Sequence, residues 1–204
     1  MRRIPLSRRS HITGFQPLAT GTAEHESALE RDFVTLSTFL DPHAVITSQP
    51  ITITYQLGAV MRRYTPDYFV SWSSGRREIV EVKYSSDLQT NQEQLKERFA
   101  AMQDWARLRS AAFRVATERD IRGCALENAK RLLPLRTAPL DTEVARSVMA
   151  TVRGLGTPTL ANVLATVPAD RPSFLAALWC LIARASLSVD LSLPITPGSI
   201  IKVP

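Results

Sequence analysis

Cysteine is nearly missing from the chain: Cys124 and Cys180 are the only two in 204 residues, and they show no CxxC spacing. Neither a disulfide framework nor a cysteine zinc site can be built from such a pair, so the expectation is a reducing compartment with both residues filling core. The three histidines, His11, His25 and His43, lack metal-ligand spacing, and no Ser-His-Asp or P-loop pattern occurs. Long apolar runs are also scarce. The strongest, Phe174 to Ala183, is about half of the ~20 residues a bilayer crossing takes, so it reads as a buried helix and no membrane association is expected. The opening MRRIPLSRRSH has no apolar stretch of the secretory kind, which points to the cytoplasm. Acids are absent from the first 20 residues, while Arg2, Arg3, Arg8 and Arg9 are present. Such a basic arm over residues 1–22 suits a phosphate backbone or, equally, a solvated tail.

What is present is ordinary for a globular protein: 45% hydrophobic residues, 22% charged, and a net charge of +6 that favours an acidic partner without naming it. HESALERDFVTLSTFL spaces Leu29, Phe33, Leu36 and Leu40 as one helical stripe, stopped by Asp41-Pro42. AVITSQPITITYQLG alternates around Pro50 and predicts two short strands or one bent strand. DYFVSW and REIVEVKY predict two more, joined by SSG. A second amphipathic helix follows, with Leu95, Phe99, Met102 and Ala106 on one face, then a short strand AAFRVAT and a helix in IRGCALENAKRLL. The order implies an α/β sandwich with a mixed sheet over residues 23–135. A linker is expected at PLRTAP, residues 134–139. Beyond it, over 141–204, three helical stretches and an alternating SLSVDLSL before SIIKV predict a small, mostly helical domain of winged-helix-like pattern.

The stretch TPDYFVSWSSGRREIVEVKY places acids where a strand would ordinarily be apolar. With a three-residue loop Ser73-Ser74-Gly75 and Gly75 at positive φ, cross-strand partners have numbers summing to 148, and Asp67 faces Glu81. Alternation then puts Tyr68, Val70 and Trp72 against Val80, Val82 and Tyr84 on a face expected to be wholly apolar and buried. The opposite face gathers Asp67, Glu81 and Lys83. Two carboxylates held close repel each other, and a hard divalent cation with oxygen ligands, Mg²⁺ or Mn²⁺, relieves that. The alternative is a surface hairpin whose Glu81 and Lys83 make exposed contacts worth under ~1 kcal/mol each. Arg62, Arg63, Arg76 and Arg77 flank the hairpin, placed either to hold phosphates or to solubilise. Glu30 lies near the core boundary of its helix, where it can look across at a sheet edge.

Glu30 in SALERDF, Gln49-Pro50, Pro66-Asp67 in TPDYFV and Glu81-Val82-Lys83 in EIVEVKY together resemble the PD-(D/E)xK nuclease superfamily. Within it they look like the TnsA family, the endonuclease subunits of heteromeric bacterial transposases, over roughly residues 20–135. That resemblance implies a restriction-endonuclease-like fold, with Asp67, Glu81, the Val82 carbonyl and Glu30 holding Mg²⁺, for which Mn²⁺ can substitute. Lys83 would orient or deprotonate the attacking water. It also implies the role: cutting the 5′ strand at double-stranded transposon ends beside a DDE transposase, TnsB, under an AAA+ ATPase, TnsC, which the C-terminal domain would contact. The nearest rival is a stand-alone restriction-type or junction-resolving nuclease; another is a catalytically silent DNA-binding adaptor. Some family members carry Gln where this chain has Glu81.

Overall fold

A computed structural model describes residues 14–18, 21–167 and 171–204; the arginines at 2, 3, 8 and 9 lie outside the described residues. The chain divides into two compact units, residues 1–122 and 123–204. The division falls upstream of the expected linker, where Leu133–Arg136 instead forms a turn of 3₁₀ helix.

The first unit begins with a hairpin of β1 (Gly14–Leu18) and β2 (Gly21–His25), within and beyond the stretch read as a basic arm. Helix α1 (Ala28–Leu40) follows. Ser27 caps it: its hydroxyl accepts from Glu30 N at 3.2 Å and donates to Glu30 Oε1 at 2.8 Å, while Glu26 N donates to Glu30 Oε2. This reciprocal arrangement satisfies backbone donors that a helix start leaves over. Strand β3 (Val45–Ser48) comes next, then β4 (Ile53–Leu57) and β5 (Val60–Tyr64), β6 (Tyr68–Ser71) and β7 (Arg77–Val82). Helices α2 (Ser85–Thr90) and α3 (Gln92–Arg107), strand β8 (Ala112–Ala116) and the short α4 (Glu118–Ile121) complete the unit.

Strands β3, β6, β7 and β8 form one sheet in that order, antiparallel except for the parallel β7–β8 pair. The mixed sheet expected from the sequence is therefore present, flanked by helices. Register is as predicted: Tyr68 pairs with Val80, Phe69 with Ile79, Val70 with Glu78 and Ser71 with Arg77. Trp72 and Arg76 close the loop, and Gly75 takes φ +85°.

Two corrections concern the faces. The face with Tyr68 and Val70 is not wholly apolar, because Val70 pairs with Glu78. That carboxylate is 4% exposed, and its Oε2 accepts from Trp72 Nε1 at 2.7 Å, with Arg76 Nη2 at 3.5 Å. An indole donor and a guanidinium thus make burial of the charge tolerable. The face with Glu81 is not a surface either. Helix α3 covers it, and Ile79 packs with Ile53, Tyr64, Met102 and Ala106 in one core cluster. On the other face Phe33 of α1 stacks on Tyr68 with ring centroids 5.4 Å apart. Burying each such large side chain contributes roughly 1.5–3 kcal/mol, so both faces hold the sheet in place.

The second unit contains α5 (Cys124–Leu132), the 3₁₀ turn, α6 (Thr142–Leu155), α7 (Leu160–Ala165) and α8 (Arg171–Ala183). Helix α8 buries Phe174, Ala177, Leu178, Cys180, Leu181 and Ile182, as its apolar run suggested. Cys180 is core, whereas Cys124 is only partly buried. The expected C-terminal hairpin is not formed as strands. Two isolated antiparallel bridges stand in its place, Thr159 with Ile200 and Ser188 with Lys202. Asp190 accepts from both the backbone N–H and the hydroxyl of Ser192, closing a turn where a strand was expected. Among the described residues no helix is long and apolar enough to cross a membrane.

Candidate active site

Asp67, Glu81 and Lys83 gather at one end of the β6–β7 pair, and Glu30 of α1 is near enough for its charge to act on Asp67. Asp67 immediately precedes β6, and its backbone carbonyl accepts from Gln49 N at 2.7 Å. Gln49 itself holds φ +44°, a left-handed conformation uncommon outside glycine, and its side-chain amide donates to Glu26 Oε1 at 3.0 Å. The Gln49-Pro50 turn therefore fixes where Asp67 stands. From there Asp67 reaches across to β7, where Val82 N donates to its Oδ2 at 2.7 Å. The carboxylate points toward Glu81-Val82, not into the apolar layer.

Glu81 lies on β7 and is 4% exposed. Its Oε1 meets Lys83 Nζ at 3.1 Å and Arg98 Nη2 at 3.9 Å; its Oε2 accepts from the Tyr64 hydroxyl at 2.7 Å. A buried carboxylate with three such partners is no surface contact, which removes the surface-hairpin alternative. Stripping one partner from a buried ion pair typically costs ~3–5 kcal/mol. Lys83 follows two residues on, and its backbone N–H donates to Ala116 O of β8 at 3.0 Å, so the parallel neighbour strand anchors it.

The electrostatics show that the acids feel one another. Burial pushes the Asp67 carboxyl well above the ordinary aspartate range, and the charges of Glu81 and then Glu30 push it further, against the Val82 N–H and the Lys83 ammonium. Burial likewise raises Glu30, with Glu81 among the smaller contributions and the Glu26 N–H and Ser27 hydroxyl opposing. Tyr64, raised by burial and by Glu81, remains a hydrogen-bond donor.

Tyr64 and Arg98 were not anticipated from the sequence. Tyr64 occupies the end of β5, and Arg98 of α3 lies over the Tyr64 ring at 5.2 Å and over Phe99 at 5.5 Å. Arg98 Nε is buried without a hydrogen-bond partner. The signal that could have found β5 is the pair of runs ITYQL and VMRRY separated by two residues, one of them Gly58 at φ +59°. Arg76 and Arg77 stand at the opposite, turn end of the β6–β7 pair, four residues and about 13 Å from the acids. They stack on Trp72 and Phe69 respectively.

In kind the donors fit a hard divalent cation: they are oxygens only, negatively charged, costly to bury, and Asp67 Oδ1 receives no hydrogen bond from any described residue. In number they are not a ready cage. Among the described residues no three His, Cys, Asp or Glu side chains form a metal-holding group as they stand. Both Glu30 oxygens serve the α1 cap, and Tyr64 and Lys83 engage Glu81. A cation here would compete with Lys83 for Glu81 Oε1.

Residues 44–118 match the family model described as TnsA-like endonuclease N terminal, a little over a third of the chain. The match takes in Asp67, Glu81, Val82 and Lys83 and excludes Glu30 and the second unit. No curated protein matches the chain.

Proposed function

We propose that this chain, whose residues 44–118 match the TnsA-like endonuclease N-terminal model, is a metal-dependent DNA endonuclease subunit of a transposase, cutting the 5′ strand at transposon ends. One observation carries the proposal: Asp67, Glu81 and Lys83 converge at one end of the β6–β7 pair, inside the matched segment, with Glu81 buried and Asp67 partly buried.

The residues divide the work as follows. Asp67 and Glu81 would hold the cation, with the Val82 carbonyl and Glu30 as further oxygens. When bound, a divalent ion lowers the pKa of a coordinated water and offsets the charge that builds on the phosphate. Lys83 is two residues from Glu81 on a strand pinned on both sides, so its ammonium is held where it can orient the attacking water and meet the developing negative charge. Tyr64 and Arg98 keep Glu81 from swinging out of line. The sheet and its flanking helices are the scaffold that a restriction-endonuclease-like nuclease requires.

The partners proposed are duplex DNA, the DDE transposase TnsB and the AAA+ ATPase TnsC, the last docking on the second unit. The deciding experiment incubates the protein with labelled transposon-end DNA and Mg²⁺, with and without the cognate transposase. Cleavage of the 5′ strand only with the transposase supports the subunit reading; cleavage by the protein alone favours a stand-alone nuclease; no cleavage, with no heat of Mg²⁺ binding, leaves a silent adaptor.

A further inference from the structure

The β4–β5 pair forms a two-stranded sheet of its own, apart from the four-stranded one. Its base is fixed: Ile53 and Tyr64, paired across the ribbon, are buried in the cluster beneath α3. Beyond that pair the ribbon runs into solvent. One side carries Thr54 opposite Arg63 and Gln56 opposite Met61, all exposed. The other carries Tyr55 opposite Arg62 and ends in exposed Leu57 and Val60. From Pro42 to Pro66 the chain contains no Asp or Glu.

Arg62 and Arg63 differ from their neighbours. Arg76 and Arg98 are engaged by acids and aromatic rings, whereas Arg62 and Arg63 make no ion pair or hydrogen bond with any described residue. Two free guanidinium groups on an acid-free ribbon suit a polyanion. The shape narrows the choice, since a two-stranded ribbon of five residues a side, about 17 Å long, matches what the ~12 Å wide major groove of B-form DNA admits. Arg and Gln are moreover the side chains that read guanine and adenine edges there.

We propose that the β4–β5 ribbon lies in the major groove of duplex DNA, with Arg63 and Gln56 toward the base edges and Arg62 on the flanking phosphates. Tyr64 ends the ribbon and holds Glu81, and Asp67 follows three residues later, so a duplex seated on the ribbon is registered against the carboxylates. The registering role rests on the endonuclease reading; the seating does not.

The test therefore separates them by measuring binding in EDTA. Fluorescence anisotropy of the full chain on a duplex of about 30 base pairs at about 50 mM salt is compared with the Arg62→Ala/Arg63→Ala variant; affinity is expected to fall at least about tenfold and the slope against log salt to flatten by about 1–2. Arg107→Ala/Arg109→Ala removes the same charge from exposed positions elsewhere in the first unit and is expected to change affinity less than about twofold. A photo-crosslinking amino acid at Met61, 63% exposed, is expected to capture the duplex. A wild-type chain that does not bind, a double variant with unchanged affinity and slope, or no crosslink overturns the proposal. If binding depends on the ribbon yet no cleavage occurs with Mg²⁺ and transposase, the endonuclease reading falls and the ribbon stands; cleavage with the double variant binding as wild type is the reverse.

Discussion

Tyr64 donates its hydroxyl hydrogen to Glu81 across 2.7 Å, although the two residues belong to different sheets. The contact ties the ribbon to the acid and leaves Glu81 with an engaged partner at each oxygen. Replacing Tyr64 with Phe keeps the ring against Phe99, whose centroid is 6.3 Å away, and removes only the donor. A hydrogen bond to a buried charge is worth about 1.5–3 kcal/mol, so Tyr64→Phe should lower the melting temperature by several degrees. Cleavage should slow with duplex affinity unchanged, as measured by single-turnover assay beside anisotropy.

Lys83→Ala should abolish cleavage while Mg²⁺ binding and duplex binding both survive. Tyr64 and Arg98 remain around Glu81 in that variant, so the fold should persist. A collapsed melting transition in calorimetry would instead assign Lys83 a structural role.

The strain of burying Asp67 has a sign that can be measured. Its folded pKa is raised, so between the ordinary aspartate value near ~4 and the raised one the native state binds more protons than the unfolded state. Stability from this group accordingly falls as pH rises through that window; Glu30 acts in the same direction. Asp67→Asn keeps an oxygen to accept from Val82 N and removes the charge. It should melt higher than wild type at pH 7, by about 2 °C or more, and show a flatter profile below it. Mg²⁺ should raise the wild-type melting temperature and leave the variant unmoved. Superimposable wild-type and variant profiles would contradict the origin assigned here.

Truncation should respect the division between the units. A chain ending at Arg122 keeps the Arg122 to Asp32 ion pair, 3.1 Å, and should unfold cooperatively. A chain ending at 140 retains α5 with Leu126, Ala129 and Leu132 but lacks α8, against which α5 packs, and should aggregate or bind a hydrophobic dye. Circular-dichroism melts and dye fluorescence compare the two. The chain ending at Arg122, which lacks the whole second unit, should also lose capture of the ATPase while metal binding persists, read by pull-down and calorimetry.

Local chemistry made the β6–β7 pair readable in advance. A Gly at the loop and alternation on either side leave one register that puts Tyr68 and Val80 together, and the site follows from that register. Coverage was less readable, since alternation cannot tell a face open to water from one roofed by a helix 10 residues downstream; Glu81 is buried only because α3 folds back over Ile79. The same limit hid Glu78, whose burial depends on Trp72 supplying an N–H. β5 went unseen because Met61, Arg62 and Arg63 offer no alternation, its apolar end residue being Tyr64. At the C-terminal end a genuine alternation in SLSVDLSL lost to an Asp190–Ser192 turn, a contest between side chain and backbone that periodicity does not record.

Glu30 closes the first turn of α1 with the same two oxygens it would lend to catalysis. Glutamine closes a helix start in nearly the same way. In descendants of this chain, one exchange of Glu30 for Gln would keep a single acceptor oxygen at the helix start in place of two and erase a negative charge from beside Asp67, so the scaffold itself has a stake in the acid that the proposed centre would use.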